Sequence, residues 1–297
     1  MVSTMSLVQR SFRVQSVLKS YMSTASTTHN IIPVAEVTRY GVDCMRAVNV
    51  PLEHASMLAE VLVAADYRGH YSHGLNRLEM YVRDVKTGIC DGSVQPAILR
   101  RTAATALVDG RNGLGPVVGN FCMKLAIKKA RETGVGWIAA KGSVVYQHVT
   151  TDEPYTLQKG TLMPLGGTEL TSGYKGYGLA LLVELLCGIM ADATYGPNVR
   201  RWMTTDREAN LGQCFIAVDP GAFAPGFSDR LQDLLDYLRK MEPSDPSSPV
   251  LVAGDPERKQ MAFNDKQGGI QYHENQIIAS KALAELLKVT PMKPAYL

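Results

Sequence analysis

The sequence is poor in the features that define several protein classes. Its five cysteines, Cys44, Cys90, Cys122, Cys187 and Cys214, are odd in number, scattered and never spaced as Cys-x-x-Cys. That argues against a disulfide framework or a thiolate zinc site and fits a reducing compartment. Charge of neither sign dominates, with 31 Lys and Arg against 28 Asp and Glu, so nothing favours nucleic acid as a partner. The longest apolar run, Gly178–Met190, is interrupted by Glu184 and falls short of the ~20 residues that cross a bilayer. No membrane span is expected. The six histidines never recur at a metal-ligand spacing, and neither Gly-x-Ser-x-Gly nor Gly-x-x-x-x-Gly-Lys-Ser/Thr occurs. Metal-site, serine-hydrolase and P-loop readings lose ground accordingly. Acidic residues are absent from the first 35 positions, where Arg10, Arg13 and Lys19 lie among many Ser and Thr. That composition suits either an organelle transit peptide or a solvated tail, so residues 1–35 are set apart and the compartment is expected to be mitochondrial or cytoplasmic.

What remains has the makings of a globular enzyme-sized chain: 297 residues, 45% hydrophobic and 20% charged, enough for one large or two modest folded units. Helical spacing of apolar residues over Val37–Val48 and Leu52–Asp66 predicts a helical N-terminal region. Ser72 is a good N-cap for a further helix running to about Gly88, on which His73, Arg77 and Tyr81, each four apart, would share one face. Thr105–Asp109 and Gly136–Ala140 read as strands flanking a helix over Val117–Glu132 that Gly134 closes. Tyr146–Gly160 reads as a loop. Later segments add an apolar helix over Gly178–Ala191, a strand over Cys214–Val218, an amphipathic helix over Ser228–Lys240, a short extended piece Gly269–Tyr272 and a helix around Asn275–Leu287. Interleaved strands and helices predict a mixed α/β fold.

Three segments could carry chemistry. The helix expected after Ser72 offers a proton-exchanging His73 and a planar Arg77 fork for a carboxylate, the needs of 2-hydroxy-acid chemistry, although a capped and solvated surface helix also fits. Asp109–Gly119 resembles a dinucleotide-binding glycine loop only loosely, and a strand-to-helix turn using glycine at positive φ with Pro116 in the first helical turn fits better. Gly166–Gly178, rich in glycine and hydroxyls, precedes an apolar helix and could receive an anion with Lys175 as a point charge, or simply pack closely.

Taken together, Asp66-Tyr67-Arg68-Gly69 leading into Ser72-His73-Gly74, the Asp109–Gly115 loop, Thr133–Trp137, Met163–Glu169, Thr171–Leu179, Tyr195–Asn198 and Ala209–Gln213 resemble the malate/L-lactate dehydrogenase family. That family includes ureidoglycolate, sulfolactate and diketogulonate dehydrogenases and is distinct from the Rossmann-type lactate and malate enzymes. The resemblance runs from about Ile32 to near the C-terminus. It implies an α/β, mixed-sheet, non-Rossmann dehydrogenase fold, a homodimer, and hydride transfer between NAD, or NADP, and a small 2-hydroxy or 2-oxo acid, malate-like substrates being favoured. It implies His73 as the catalytic acid–base group, with Ser72 and Arg77 orienting the substrate carboxylate. Gly173, Tyr174 and Lys175 match a cofactor contact, and Asn210, Gly212 and Gln213 a segment close to the site that is assigned to the cofactor with them.

One departure from the family pattern is large. A pair like Gly142-Ser143 normally leads into a long cofactor domain before a stretch like His148–Asp152 follows, whereas here only Val144–Gln147 separate them. The central cofactor domain is therefore expected to be largely missing. Residues 36–143 would form an N-terminal helical and first α/β part, 144–160 the junction and 161–297 a C-terminal α/β part. The alternative to an active enzyme is an inactive shortened product, at most an interaction partner of the full-length chain.

Overall fold

A computed structural model describes residues 30–145, 164–200, 204 and 206–295. The transit-peptide segment up to residue 29 and most of the 144–160 junction lie outside the described residues. Residues 30–35, assigned above to the tail, are folded: Ile31 and Ile32 are buried, because they form strand β1 (Ile31–Ile32) against β6 (Ile270–Gln271) near the other end of the chain.

Helices α1 (Val34–Arg46) and α2 (Leu52–Tyr67) follow and pack on each other. Gly41 lies against Ala59, where an added Cβ would come within 3.1 Å, so the absence of a side chain at 41 lets the two backbones approach. Two single 3-10 turns, Tyr71–His73 and Leu75–Arg77, then lead into α3 (Leu78–Lys86). The four-stranded sheet has the order β2 (Ala97–Arg101), β3 (Thr105–Leu114), β4 (Val135–Val144), β5 (Leu211–Val218). The β3–β4 pair is parallel and is joined by α4 (Gly115–Thr133), while the two outer pairs are antiparallel. This open mixed sheet, with its strands in chain order, is the non-Rossmann arrangement expected. Helix α4 begins with Pro116 in its first turn and stops at Gly134, which takes φ 83° and donates its N–H to Ala130 O, the stop expected of glycine in the left-handed region.

In the Asp109–Gly119 turn the positive φ values fall on Arg111 (53°) and Asn112 (57°), not on the glycines. The glycines supply room instead: a Cβ at Gly110 would stand 2.6 Å from Gly142 O, and one at Gly115 2.8 Å from Val144 O.

The C-terminal half adds α5 (Gly173–Glu184), continued by a π turn over Leu185–Ile189, then α6 (Phe227–Lys240), α7 (Asp255–Gln267) and α8 (Glu274–Leu287). Helix α5 starts five residues before the expected Gly178, because Ser172 takes φ 72° and lets the chain turn into it. The parts before and after the junction interleave in space, since β5 completes the sheet on β4 and β6 pairs with β1. One core lies among the helices, around Tyr40, Met45, Leu58, Leu78, Leu114 and Ile270, and a second under the sheet, around Val108, Val118, Cys122 and Ile138. No helix among the described residues is long and apolar enough to cross a membrane.

Candidate active site

The Ser72–Tyr81 segment does not fold as one helix capped by Ser72. Gly74 interrupts it (φ −102°, ψ −138°), α3 begins only at Leu78, and its N-cap, Arg77, makes no side-chain capping bond. The cause is Asp66, buried at the end of α2, whose Oδ2 accepts the Leu75 N–H at 2.9 Å. A continuous helix would have to direct that N–H at the carbonyl four residues earlier. Ser72 Oγ instead meets His73 Nδ1 at 2.7 Å, and Arg77 Nε donates to Ser72 O at 2.6 Å. The turn is thus laced by its own polar groups, and the ring of His73 is held through Nδ1.

His73 and Tyr81 reach a cleft of about 330 Å³, whose other lining residues come from three elements and the residue after β4. Helix α2 contributes Val61, Leu62 and Ala65, the first turns of α4 contribute Gly115, Pro116, Gly119 and Asn120, and Val145 follows β4. Strand β5 contributes Gln213 and Phe215. The volume sits at the small end of ligand sites and suits a small acid together with the reacting end of a larger molecule. The first turn of α4 brings the positive end of the helix dipole to the cleft, which favours an anionic group there.

Of the sequence-derived residues, His73 and Gln213 are brought together. Gln213 Oε1 is buried without a hydrogen-bond partner, a state that costs free energy unless a donor fills it. Arg77 does not line the cleft. It lies within electrostatic reach of Tyr81, and partial burial lowers its pKa, although a guanidinium stays charged at neutral pH. Ser72 acts on the ring of His73 from outside the cleft.

Asn210 and Gly212 hold the sheet together. Asn210 Oδ1 accepts Gly142 N–H at 3.1 Å and its Nδ2 donates to Thr194 Oγ1 at 3.3 Å, while a Cβ at Gly212 would collide with Cys187 O. Gly173 is buried at the start of α5, with Tyr174 and Lys175 exposed beside it, and none of the three lines the cleft. Sequence reasoning missed Asn120 and Phe215. The small pair Gly115 and Gly119, four apart at the start of α4, was the available signal, since it opens that helix face to the ring of Phe215.

A family model described as malate/L-lactate dehydrogenase matches residues 32–150 and 146–279. Malate dehydrogenase of Pyrococcus horikoshii is 26% identical over 297 aligned positions that take in 70% of this chain and 82% of the relative. The malate/(S)-sulfolactate dehydrogenase of Methanothermus fervidus is 24% identical, with 82% of this chain and 94% of the relative covered. The solved structure of the P. horikoshii malate dehydrogenase superposes with a TM-score of 0.82 at 24% identity, covering 91% of this chain and 99% of that one, a likeness of fold.

Proposed function

The chain belongs to the malate/L-lactate dehydrogenase family, and from that premise we propose that it transfers a hydride between NAD and a small, malate-like 2-hydroxy acid, with His73 moving the hydroxyl proton. Family membership makes it an oxidoreductase acting on a small hydroxy acid. The observation that carries the finer reading is the cleft that His73 and Gln213 line together.

Ser72 Oγ holds Nδ1, so proton exchange falls to Nε2. Neutral His73 accepts the hydroxyl proton in the oxidation direction, and the imidazolium returns it to the carbonyl oxygen in reduction. The substrate carboxylate is assigned to the positive end of α4, while Arg77 and Ser72, which lie outside the cleft, keep the orienting role that the family resemblance implies by holding the turn that carries His73. The nicotinamide ring, when bound, supplies the hydride acceptor. The residues fit that ring in one respect: Gln213 lines the cleft beside His73, and its side-chain amide offers the donor and acceptor types that the ring's carboxamide would pair with. Gly173, Tyr174 and Lys175 are assigned to the anionic part of the cofactor, with Lys175 as a point charge, and Asn210 and Gly212 hold the frame beside Gln213. A homodimer would cover Leu179, Leu181, Leu182 and Val183, which are exposed on α5.

Turnover of NADH with four-carbon 2-oxo acids tests this reading. His73→Ala is expected to lower the rate of the chemical step about 10²–10⁴-fold with NADH affinity retained, and an unchanged rate would remove His73 from the mechanism.

A second reading, an inactive shortened product of such a gene, is favoured by one observation. The alignment to the P. horikoshii enzyme spans 297 positions but only 70% of this chain, so about three in ten aligned positions have no residue here. Saturable quenching of protein fluorescence by NADH supports the first reading, and its absence the second.

A further inference from the structure

Beneath the turn that carries His73 lies a carboxylate that the chemistry above does not use. Asp66 is 1% exposed, at the C-terminal end of α2. Its Oδ2 accepts two hydrogen bonds, from Leu75 N at 2.9 Å and from Tyr272 Oη at 2.8 Å. Its Oδ1 is buried with no hydrogen-bond partner and points at Gly74, where an added Cβ would stand 1.7 Å away. Tyr272 is itself fixed: it follows β6, donates its backbone N–H to Asn30 O, and meets the Tyr71 ring edge-on at 6.1 Å between centroids.

The groups facing the carboxyl are thus the Leu75 amide, the two tyrosines and the turn itself. The charged groups nearby are turned outward: Arg68 is exposed, His70 pairs with Glu257 at 3.1 Å, and Asp265, on α7, binds the hydroxyl of Tyr67. A buried carboxylate without a counter-charge is expensive, and burial pushes its pKa up to about 6. An apolar side chain would fill the same space without that cost. Only an acceptor can hold Leu75 N–H while leaving room for Gly74, and that bond sets the break in the chain between His73 and α3.

We propose that Asp66 is a positioning residue for His73: its carboxylate, anchored from the far end of the chain by Tyr272, holds the Leu75 amide and so sets the turn that presents the imidazole to the cleft. The catalytic part of this inference rests on His73 as the proton-transfer group. The structural part does not, and the experiment separates them.

Histidine-labelled full-length protein is titrated by NMR, with the His73 resonances assigned by their loss in His73→Gln. His54, buried on the same helix between Gly92 O and Gln95, reports on the fold. Asp66→Ala is expected to move the His73 resonances and their titration midpoint while His54 stays in place. Asp66→Asn, which still offers an oxygen to Leu75 N–H, is expected to bring His73 most of the way back and to abolish the inflection near pH 6 that ionisation of Asp66 imposes on the wild-type signals. Tyr272→Phe removes the anchor without touching the acid; it should shift His73 in the same direction as Asp66→Ala, and it decides the matter if Asp66→Ala fails to fold. Given turnover, Asp66→Ala should lower kcat about 10²-fold with little change in KM, the signature of a misplaced catalytic group. His73 resonances unchanged in folded Asp66→Ala, or in Tyr272→Phe if the former does not fold, would overturn the proposal. An intact NMR response in a chain without turnover would instead count against the functional reading alone.

Discussion

Helices α2 and α5 are built from comparably apolar sequences and have opposite fates. Along α2, Ala55, Leu58, Ala59, Leu62 and Val63 are buried against α1 and the neighbouring turns. Along α5 only Gly173 and Gly176 are buried, and Leu179, Leu181, Leu182 and Val183 face outward. Helix α6 likewise buries no residue fully and exposes Phe227, Leu231, Leu234 and Tyr237. An apolar helix becomes part of a core only if the chain supplies a second surface, and a contiguous exposed apolar patch marks a surface that normally meets something else. The half of the molecule that carries His73 buries its apolar helices, with Ile270, Tyr272 and Leu283 from the far end of the chain completing that core. The half assigned to the cofactor leaves the apolar residues of α5 and α6 exposed.

The contrast can be broken or sharpened by four substitutions or titrations. Arg200, in the segment between α5 and β5, reaches across to Asp84 of α3 in a buried ion pair at 2.6 Å. Arg200→Ala should cost about 3–5 kcal/mol, because it strips a buried carboxylate of its cation; a loss near zero in urea unfolding would mean that the two halves are not tied there. Leu58→Ala, on the buried face of α2, should cost about 2–5 kcal/mol as a buried large-to-small change.

The next effect depends on pH. The pKa of Asp66 is raised by burial from the ordinary 3.8 to about 6, so the folded protein holds this proton more tightly than the unfolded chain does. Its stabilisation is therefore complete below about pH 4 and is lost as pH rises to about 6, a change of about 3 kcal/mol. Denaturation across that range should show this component in the wild type and lack it in Asp66→Asn. The smallest effect belongs to α5. Leu181→Ala should change stability by no more than about 0.5 kcal/mol, and Leu181→Ser should reduce binding of an apolar-surface dye. A multi-kcal/mol loss at Leu181 would show that α5 is covered in solution and would erase the contrast.

How much of this was legible in the sequence depended on whether the signal was local. Helix α4 was readable at both ends, from Pro116 and Gly134, because capping acts within a few residues. Strands β3 and β4 were recognised from their apolar runs but drawn short, since the glycines that end them as loop residues by composition remain in the ladder to Leu114 and Val144. Strand β2 and helix α7 gave no signal. Residues Ile98–Arg101 are exposed on the sheet's edge, and of the polar α7 only Asn264 is fully buried, so neither carries a hydrophobic period. The helix expected from Ser72 was wrong because its local signals were outweighed by Asp66 and by Tyr272 from the other end of the chain.

The sequence by itself determined the family, through motifs spread along its length, and with it the expectation that His73 and Gln213 belong to the site. It also determined the α1–α2 pair and the β-α-β passage through α4, all of which rest on spacing and capping that neighbours in the chain enforce. Only the tertiary structure decided that Gln213 joins His73 in one cleft while Gly173, Tyr174 and Lys175 stay outside it, that Arg77 turns back on Ser72, and that Asp66 governs the turn. Those outcomes depend on contacts between residues far apart in the chain, whose free energies come from burial and from hydrogen bonds to groups that no local pattern announces.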